Sequence, residues 1–223
     1  MARIAKAKKK KQCIMTICAH NDDQILGAGG TIRKSVNNGM KAYTYVFSYG
    51  ETSHPHLKPK VVAEIRRKES YEAAKILGEK LYYFGINEGK IATDFDPVIL
   101  EKIILEKKPV KIFTHSPEDP HPDHKAVFQI VSHVLKKIKY TDDLYVFDVW
   151  NIFAFQNNKY PKLFVDISDT FGAKCSAFNV HKSQAATMIT LGWNMYFKAI
   201  LNGWNNHCKY AELFHKIALS YHD

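Results

Sequence analysis

Two short polar stretches carry the side chains best able to do chemistry. They are Ala19-His20-Asn21-Asp22-Asp23-Gln24 and, far downstream, Asp119-Pro120-His121-Pro122-Asp123-His124. The first sets one imidazole beside two adjacent carboxylates. The second sets two imidazoles three residues apart, with one carboxylate ahead of them and one between. Imidazole with carboxylate is a ligand mix suited to zinc or iron(II). A catalytic site of that kind takes about three protein ligands and keeps a position open for water, whereas a structural site is closed by about four. Both readings are open to these residues. In the catalytic one His20, Asp23 and His124 hold the ion, and Asp22 takes a proton from an activated water as general base. A protonated His121 then faces the oxyanion formed as that water attacks an amide carbonyl. Asp119 and Asp123 are placed to orient the histidines from behind. In the structural reading His121 joins the other three and closes the site. Each stretch alone also has an ordinary explanation, as an incidental H-x-x-D spacing or as a helix cap. His54, His56 and His115 are further histidines expected near the same place.

The elements around them must bring the two stretches together. Cys13–Ala19 is short, apolar and rich in β-branched residues, so it reads as a buried strand ending at the first stretch. Leu26-Gly27-Ala28-Gly29-Gly30-Thr31 leads into a helix that stops near Asn37-Asn38-Gly39. Strands are expected over Lys41–Phe47, Leu81–Phe84, Val110–Thr114, Leu144–Val149 and Leu163–Ile167. Helices are expected from Pro59 to Gly78, from Pro97 through Glu106, from Pro122 to Ile138 and from Thr170 onward. In the helix from Pro59, the residues Val62, Ile65, Ala73, Ile76 and Leu77 suggest one buried face. Strands alternating with helices specify an α/β fold, a three-layer α/β/α sandwich on a mainly parallel, Rossmann-like sheet. Ligands of such sheets sit beyond the carboxyl ends of the strands. Both polar stretches follow strands, so topology alone puts them on one rim.

The 223 residues, 46% of them hydrophobic, suit one domain with a single large core, expected over residues 13–223. No run approaches the ~20 apolar residues needed to cross a bilayer, and the segment after Lys8–Lys11 is too short for a signal peptide. A soluble, cytoplasmic protein without a membrane partner is the expectation. Cys13, Cys18, Cys175 and Cys208 form no C-x-x-C pair; they read as reduced thiols, with Cys13 and Cys18 on opposite faces of the first strand. The net charge of +10 comes partly from the lysine-rich leader, residues 1–12. No aromatic residue interleaves with its lysines, so it reads as a solvated tail rather than a nucleic-acid arm. Gly192-Trp193-Asn194 and Gly203-Trp204-Asn205 stand eleven residues apart, close to three helical turns, so both tryptophans share a face of a helix. That face is either packed within the chain or a substrate-lining or subunit-contact surface, and the latter would make a homo-oligomer.

The two stretches and their surroundings resemble the PIG-L/LmbE family of metal-dependent N-deacetylases. Its usual pattern is A-H-P-D-D-E, a glycine-rich helix start, then H-P-D-H. Here these are Ala19 to Gln24, Gly27-Ala28-Gly29-Gly30-Thr31, and His121-Pro122-Asp123-His124. Ser48-Tyr49-Gly50-Glu51, Arg66-Arg67-Lys68-Glu69, Leu77-Gly78, Asn87-Glu88-Gly89, Val165-Asp166-Ile167-Ser168 and His181-Lys182-Ser183-Gln184 are similar to later family landmarks. The resemblance implies His20, Asp23 and His124 as ligands of one divalent ion, zinc or iron(II), with Asp22 as the base. It implies that His121 polarises the carbonyl or protonates the leaving group, and that Arg66 lies near the substrate. It implies an N-acetylated amino sugar or sugar conjugate as substrate, a small-molecule partner. A protein that binds sugar without turnover, keeping the metal as structure, is the other reading. The chain departs from the pattern twice. Asn21 replaces proline, releasing a φ constraint, and Gln24 replaces glutamate, removing a charge near the metal while keeping hydrogen-bonding capacity.

Overall fold

In the computed structural model, which describes residues 12–54, 56–150 and 160–219 (side chains of 184–189 excepted), the apolar runs become the strands of one sheet. The basic tail falls, but for Gln12, outside the described residues. The order along the chain is β1 (Cys13–Cys18), α1 (Asp23–Asn37), β2 (Lys41–Val46), α2 (Pro59–Leu77), β3 (Lys80–Tyr83) and α3 (Ile91–Asp94). Next come α4 (Pro97–Lys107), β4 (Lys111–His115), α5 (Pro122–Lys137), β5 (Asp143–Phe147), β6 (Lys162–Asp166), α6 (Phe171–Phe178), α7 (Ala185–Asn205) and β7 (Ala211–Ile217). The strands stand in the order β3-β2-β1-β4-β5-β7-β6. The first five are mutually parallel, and β7 runs antiparallel between β5 and β6. The mainly parallel sandwich is therefore as expected, and β7 is an addition no sequence motif marked.

β1 is buried along its whole length because helices cover both faces of the sheet. Its side chains alternate accordingly. Ile14 and Cys18 pack with α1, α2 and α6, and Cys13, Met15 and Ile17 pack with α4 and α5, so the two thiols do face opposite layers. Helix α1 lies close on the sheet through its glycines: a Cβ on Gly27 would sit 2.2 Å from the Phe147 ring.

Two helices depart from their expected faces. On α2, Ile65 is exposed, and the next residue, Arg66, is buried in its stead. On α7, Trp193 and Trp204 are 76% and 81% exposed. They form an outward apolar stripe with Tyr196, Phe197 and Ile200 instead of packing within the chain. The inward face of α7 is partly polar, with Asn194 and Lys198 donating to the carbonyls of Val149 and Asp148.

β1 and β4 are neighbours, and connections leave them toward opposite edges of the sheet. This is the topological switch point at which open α/β sheets bind ligands. Both polar stretches emerge there.

Candidate metal centre and active site

The first stretch is a tight turn from β1 into α1. Asp22 is the N-cap, and its carbonyl accepts from Ile25 and Leu26. Asp23 and Gln24 thus belong to the first helical turn, not to a loop. The His20 amide donates to Asp23 Oδ2 at 2.7 Å, which turns the Asp23 carboxylate back toward β1. The Asn21 carbonyl is clamped from three sides: by Gln24 Nε2 (3.5 Å), by Ser70 Oγ of α2 (3.4 Å) and by His181 Nε2 (3.2 Å). His181 and Ser183 were landmarks of unassigned use. Ser183 docks through its amide and hydroxyl on Glu69 of α2, so two motifs far apart in sequence meet behind the turn.

In the second stretch Pro122 opens α5, and His121 is its N-cap, with Nδ1 accepting from the Asp123 amide at 3.2 Å. His124, on the first turn of α5, is fully buried with its ring stacked on His115 at 3.8 Å. His124 Nε2 makes no hydrogen bond and faces Asp23 Oδ1 at 3.4 Å. On the other side His20 Nδ1 lies 3.5 Å from Asp23 Oδ2. One donor atom from each of His20, Asp23 and His124 falls within 4.8 Å of the others. A buried imidazole nitrogen without a hydrogen-bond partner, aimed at a carboxylate and near a second imidazole, fits a divalent ion of the zinc or iron(II) type.

The remaining ring nitrogens are held by carboxylates. Asp119 Oδ1 contacts His124 Nδ1 at 3.0 Å, and Asp123 Oδ2 bonds His20 Nε2 at 3.3 Å. These are the supporting pairs that fix tautomer and orientation of ligating histidines. Asp119 is fully buried and does more. It accepts from the amides of His121 (3.1 Å), Val149 (3.2 Å) and Trp150 (3.4 Å), tying the second stretch to the end of β5.

The electrostatics show a site built to hold positive charge. Burial disfavours a proton on His20, yet its bonds to Asp123 and Asp23 raise its pKa to about 10. On His124 burial is likewise overcome, by the Asp23 charge and the Asp119 contact, to reach about 9. Burial alone would raise Asp23, but His124 and His115 pull it well below the usual carboxylate range. His115 itself is pushed down to about 4 by burial and by the His124 charge, and its Nε2 accepts from the Ala19 amide. It stays neutral and props Asp23 and His124. To hold a divalent ion, His20 and His124 would both have to give up their protons.

Asp22 and His121 face an open cleft of about 210 Å³ that His20 and Asp23 also line, together with Leu26, Ser53, Arg66, Glu88, Val149, Trp150 and Leu191; the His121 ring stacks on His124 at 4.6 Å and lies 5.0 Å from that of His20. Arg66 is buried. Its Nη1 donates to the Gly50 carbonyl at 2.9 Å and its Nη2 reaches Asp22 Oδ1 at 3.4 Å. Gly50 permits this approach, since a Cβ there would lie 2.2 Å from Nη1, and its φ is +64°. Arg66 therefore orients Asp22 as well as lining the cleft. His121 differs from the expectation of a protonated ring. Burial and the neighbouring His124 and His20 charges lower its pKa, and its Nδ1 is occupied as acceptor, which leaves a neutral ring with its proton on Nε2.

Glu88 and Trp150 were not singled out as site residues by the sequence, whereas His115 was expected near the site and is there. Glu88 accepts from Thr52 Oγ1 (2.5 Å) and donates its amide to Glu51 Oε1 (2.8 Å), latching two rim loops together beside His20. The Asn87-Glu88-Gly89 landmark was its one signal. Among the described residues the clusters of close donor atoms include His115 but neither His54 nor His56.

Comparison with known proteins gives the chain a family and relatives. Residues 15–135, over half of the chain, match the family described as PIG-L: GlcNAc-PI de-N-acetylase. The chain is 27% identical to a probable N-acetyl-alpha-D-glucosaminyl L-malate deacetylase 2 of Bacillus cereus, across 79% of this chain and 85% of that protein. It is also 27% identical to the diacetylchitobiose deacetylase of Thermococcus kodakarensis, across 84% and 75% of the two chains. Its fold superposes on the 4-carboxy-2-hydroxymuconate hydratase of Pseudomonas putida with a TM-score of 0.79 at 20% identity, covering 95% and 98%. That last likeness concerns the fold alone, so chemistry has to be read from the site. The family match spans both polar stretches and every side chain of the proposed ligand trio, and the chain belongs to the PIG-L family.

Proposed function

We propose that the protein is a metal-dependent N-deacetylase that removes the acetyl group from an N-acetylglucosamine-type amino sugar or sugar conjugate. The carrying observation is the division of labour at the first turn. Both carboxylates line the cleft, but Asp23 lies among the His20, His115 and His124 imidazoles, while Asp22, its neighbour, is paired with Arg66. A site whose only purpose was structural has no use for a second carboxylate held by an arginine at the cleft. His20, Asp23 and His124 are the residues that hold the ion, zinc or iron(II). Such an ion, when bound, supplies a lowered pKa to a coordinated water, to near ~7, and polarises a carbonyl.

Asp22 takes the proton of the attacking water and returns it to the departing amine nitrogen. Arg66 keeps the Asp22 carboxylate aimed into the cleft. His121 presents its Nε2 proton to the oxygen that becomes negative during attack, and the cap bond to the Asp123 amide fixes that tautomer. The cleft is lined by the apolar Trp150, Val149, Leu191 and Leu26 and by the polar Glu88, Ser53 and Arg66. The cleft is smaller than the ~300–1,000 Å³ usual for drug-sized ligands, a size suited to one N-acetylated ring with the remainder of a conjugate outside. Gln24 acts from behind the turn.

The test is acetate release from a panel of N-acetylglucosamine conjugates by the zinc- or iron(II)-loaded protein. Asp22→Asn is expected to lower kcat by ~10²–10⁴ while the protein stays folded and keeps its metal content. Metal-loaded protein that releases acetate from none of the panel overturns the proposal.

A further inference from the structure

Behind the catalytic turn, on the face of β1 away from the cleft, lies a buried carboxyl that the chemistry above does not use. Glu79 follows the end of α2, and its side chain enters the layer between α1 and the sheet. Glu79 Oε2 accepts from Thr44 Oγ1, Oε1 has no hydrogen bond, and the Gln24 side chain is near enough to lower the carboxyl's pKa. Gln24 is itself fully buried. Its Oε1 receives the Cys18 thiol at 3.8 Å, and its Nε2 reaches the Asn21 carbonyl at 3.5 Å. Gln24 therefore spans from the Glu79 carboxyl to the carbonyl that joins the ligand His20 to the base Asp22.

We propose that Glu79 is a positioning residue for the metal turn, acting through Gln24, and that positions 24 and 79 form a pair in which only one member is a carboxylate. The family pattern has glutamate at position 24. With Glu79 beside it, a glutamate there would set two carboxylates together out of water, and one of them would have to take up a proton or move away. A carboxylate at 24 would also have no donor for the Asn21 carbonyl. Glutamine satisfies both needs, accepting from Cys18 with its oxygen while its amide faces Glu79 and Asn21. Burial already pushes the Glu79 carboxyl up to about 7, against the pull of Thr44 and Gln24. The site has no room for a second acid without cost.

The pair stands on the metal reading of the turn but not on the identity of the substrate, so zinc affinity, which needs no substrate, separates its failure from failure of the deacetylase proposal. Zinc binding by competition with a chromophoric chelator, and melting of the metal-free protein, are measured for wild type, Glu79→Ala, Glu79→Gln, Gln24→Glu and the exchange Gln24→Glu/Glu79→Gln. Glu79→Ala is expected to weaken zinc at least tenfold. On any substrate that is turned over, it lowers kcat at least tenfold with KM within twofold. Glu79→Gln, which keeps a partner for Gln24, stays within threefold on both. Gln24→Glu lowers the melting temperature, and adding Glu79→Gln restores it. Wild-type zinc affinity in Glu79→Ala overturns the proposal, as does equal loss in the Ala and Gln variants. If Glu79→Ala does not fold, the exchange decides: a double variant that melts no higher than Gln24→Glu overturns the pairing, and one that melts like wild type supports it.

Discussion

Asp119 holds three parts of the site at once, and its replacement by asparagine separates shape from charge. Oδ1 faces His124 Nδ1 and the His121 amide, and Oδ2 faces the amides of Val149 and Trp150. All four partners are donors or carry a proton toward the carboxylate. Asparagine fills the same space with one oxygen and one NH₂, so on one side two donors meet a donor. A hydrogen bond to a charged acceptor is worth ~1.5–3 kcal/mol, and neighbouring losses do not add. The expected cost at pH 7 in the metal-free protein is ~2–3 kcal/mol.

Titration gives an independent size for the same interaction. Against the cost of burial, His124 holds the Asp119 carboxyl at about 2, below its ordinary 3.8, a difference worth ~2 kcal/mol. A depressed folded-state pKa contributes stability that is fully present above the unfolded value near 3.8 and is lost as pH falls toward 2. About half of it is gone by pH 3. Urea unfolding of wild type and Asp119→Asn at pH 7 and pH 3 should show the deficit shrinking by ~1 kcal/mol at the lower pH. Zinc affinity of the variant should fall by ~10–100-fold through His124. A deficit equal at both pH values, with wild-type zinc affinity, would refute the assignment of Asp119 as the charged support of His124.

Glu79 titrates with the opposite sign: burial raises its carboxyl from 4.5 to about 7, so its favourable contribution is complete below pH 4.5 and is lost as pH rises through 7, a swing of ~3 kcal/mol. Glu79→Gln should accordingly be more stable than wild type at pH 8 and no more stable at pH 4, as urea midpoints will show. Arg66→Ala removes the buried fork between the Gly50 carbonyl and Asp22; a loss of ~2–4 kcal/mol and of kcat is expected, with Arg66→Lys recovering little because a point charge cannot reach both. A methyl on Gly27 would drive into the Phe147 ring, so Gly27→Ala should cost ~1–3 kcal/mol in thermal melts.

The parts of this site that were legible in the sequence are the parts made of neighbours in the chain. His20 and Asp23 are three residues apart, as are His121 and His124, and strand-ending position put both pairs on one rim. The placement of β1 beside β4 was not legible, because sheet order depends on which strands pair, and neither apolar run says so. The members of the site that escaped notice are those whose partners lie far along the chain, such as Glu88, latched to Thr52 and Glu51, and Glu79, set against Thr44 and Gln24. Helical periodicity failed where function outweighed burial of apolar surface: Arg66 is buried beside an exposed Ile65 because the base needs a guanidinium more than the core needs another isoleucine. The replacement of proline by Asn21 follows the same logic. Proline restrains a turn through its own φ. Here the turn is restrained through its carbonyl, which receives Gln24, Ser70 and His181 from three separate segments. A constraint that the family pattern encodes in one residue is encoded in this chain by contacts among four, and so could be seen only once the chain was folded.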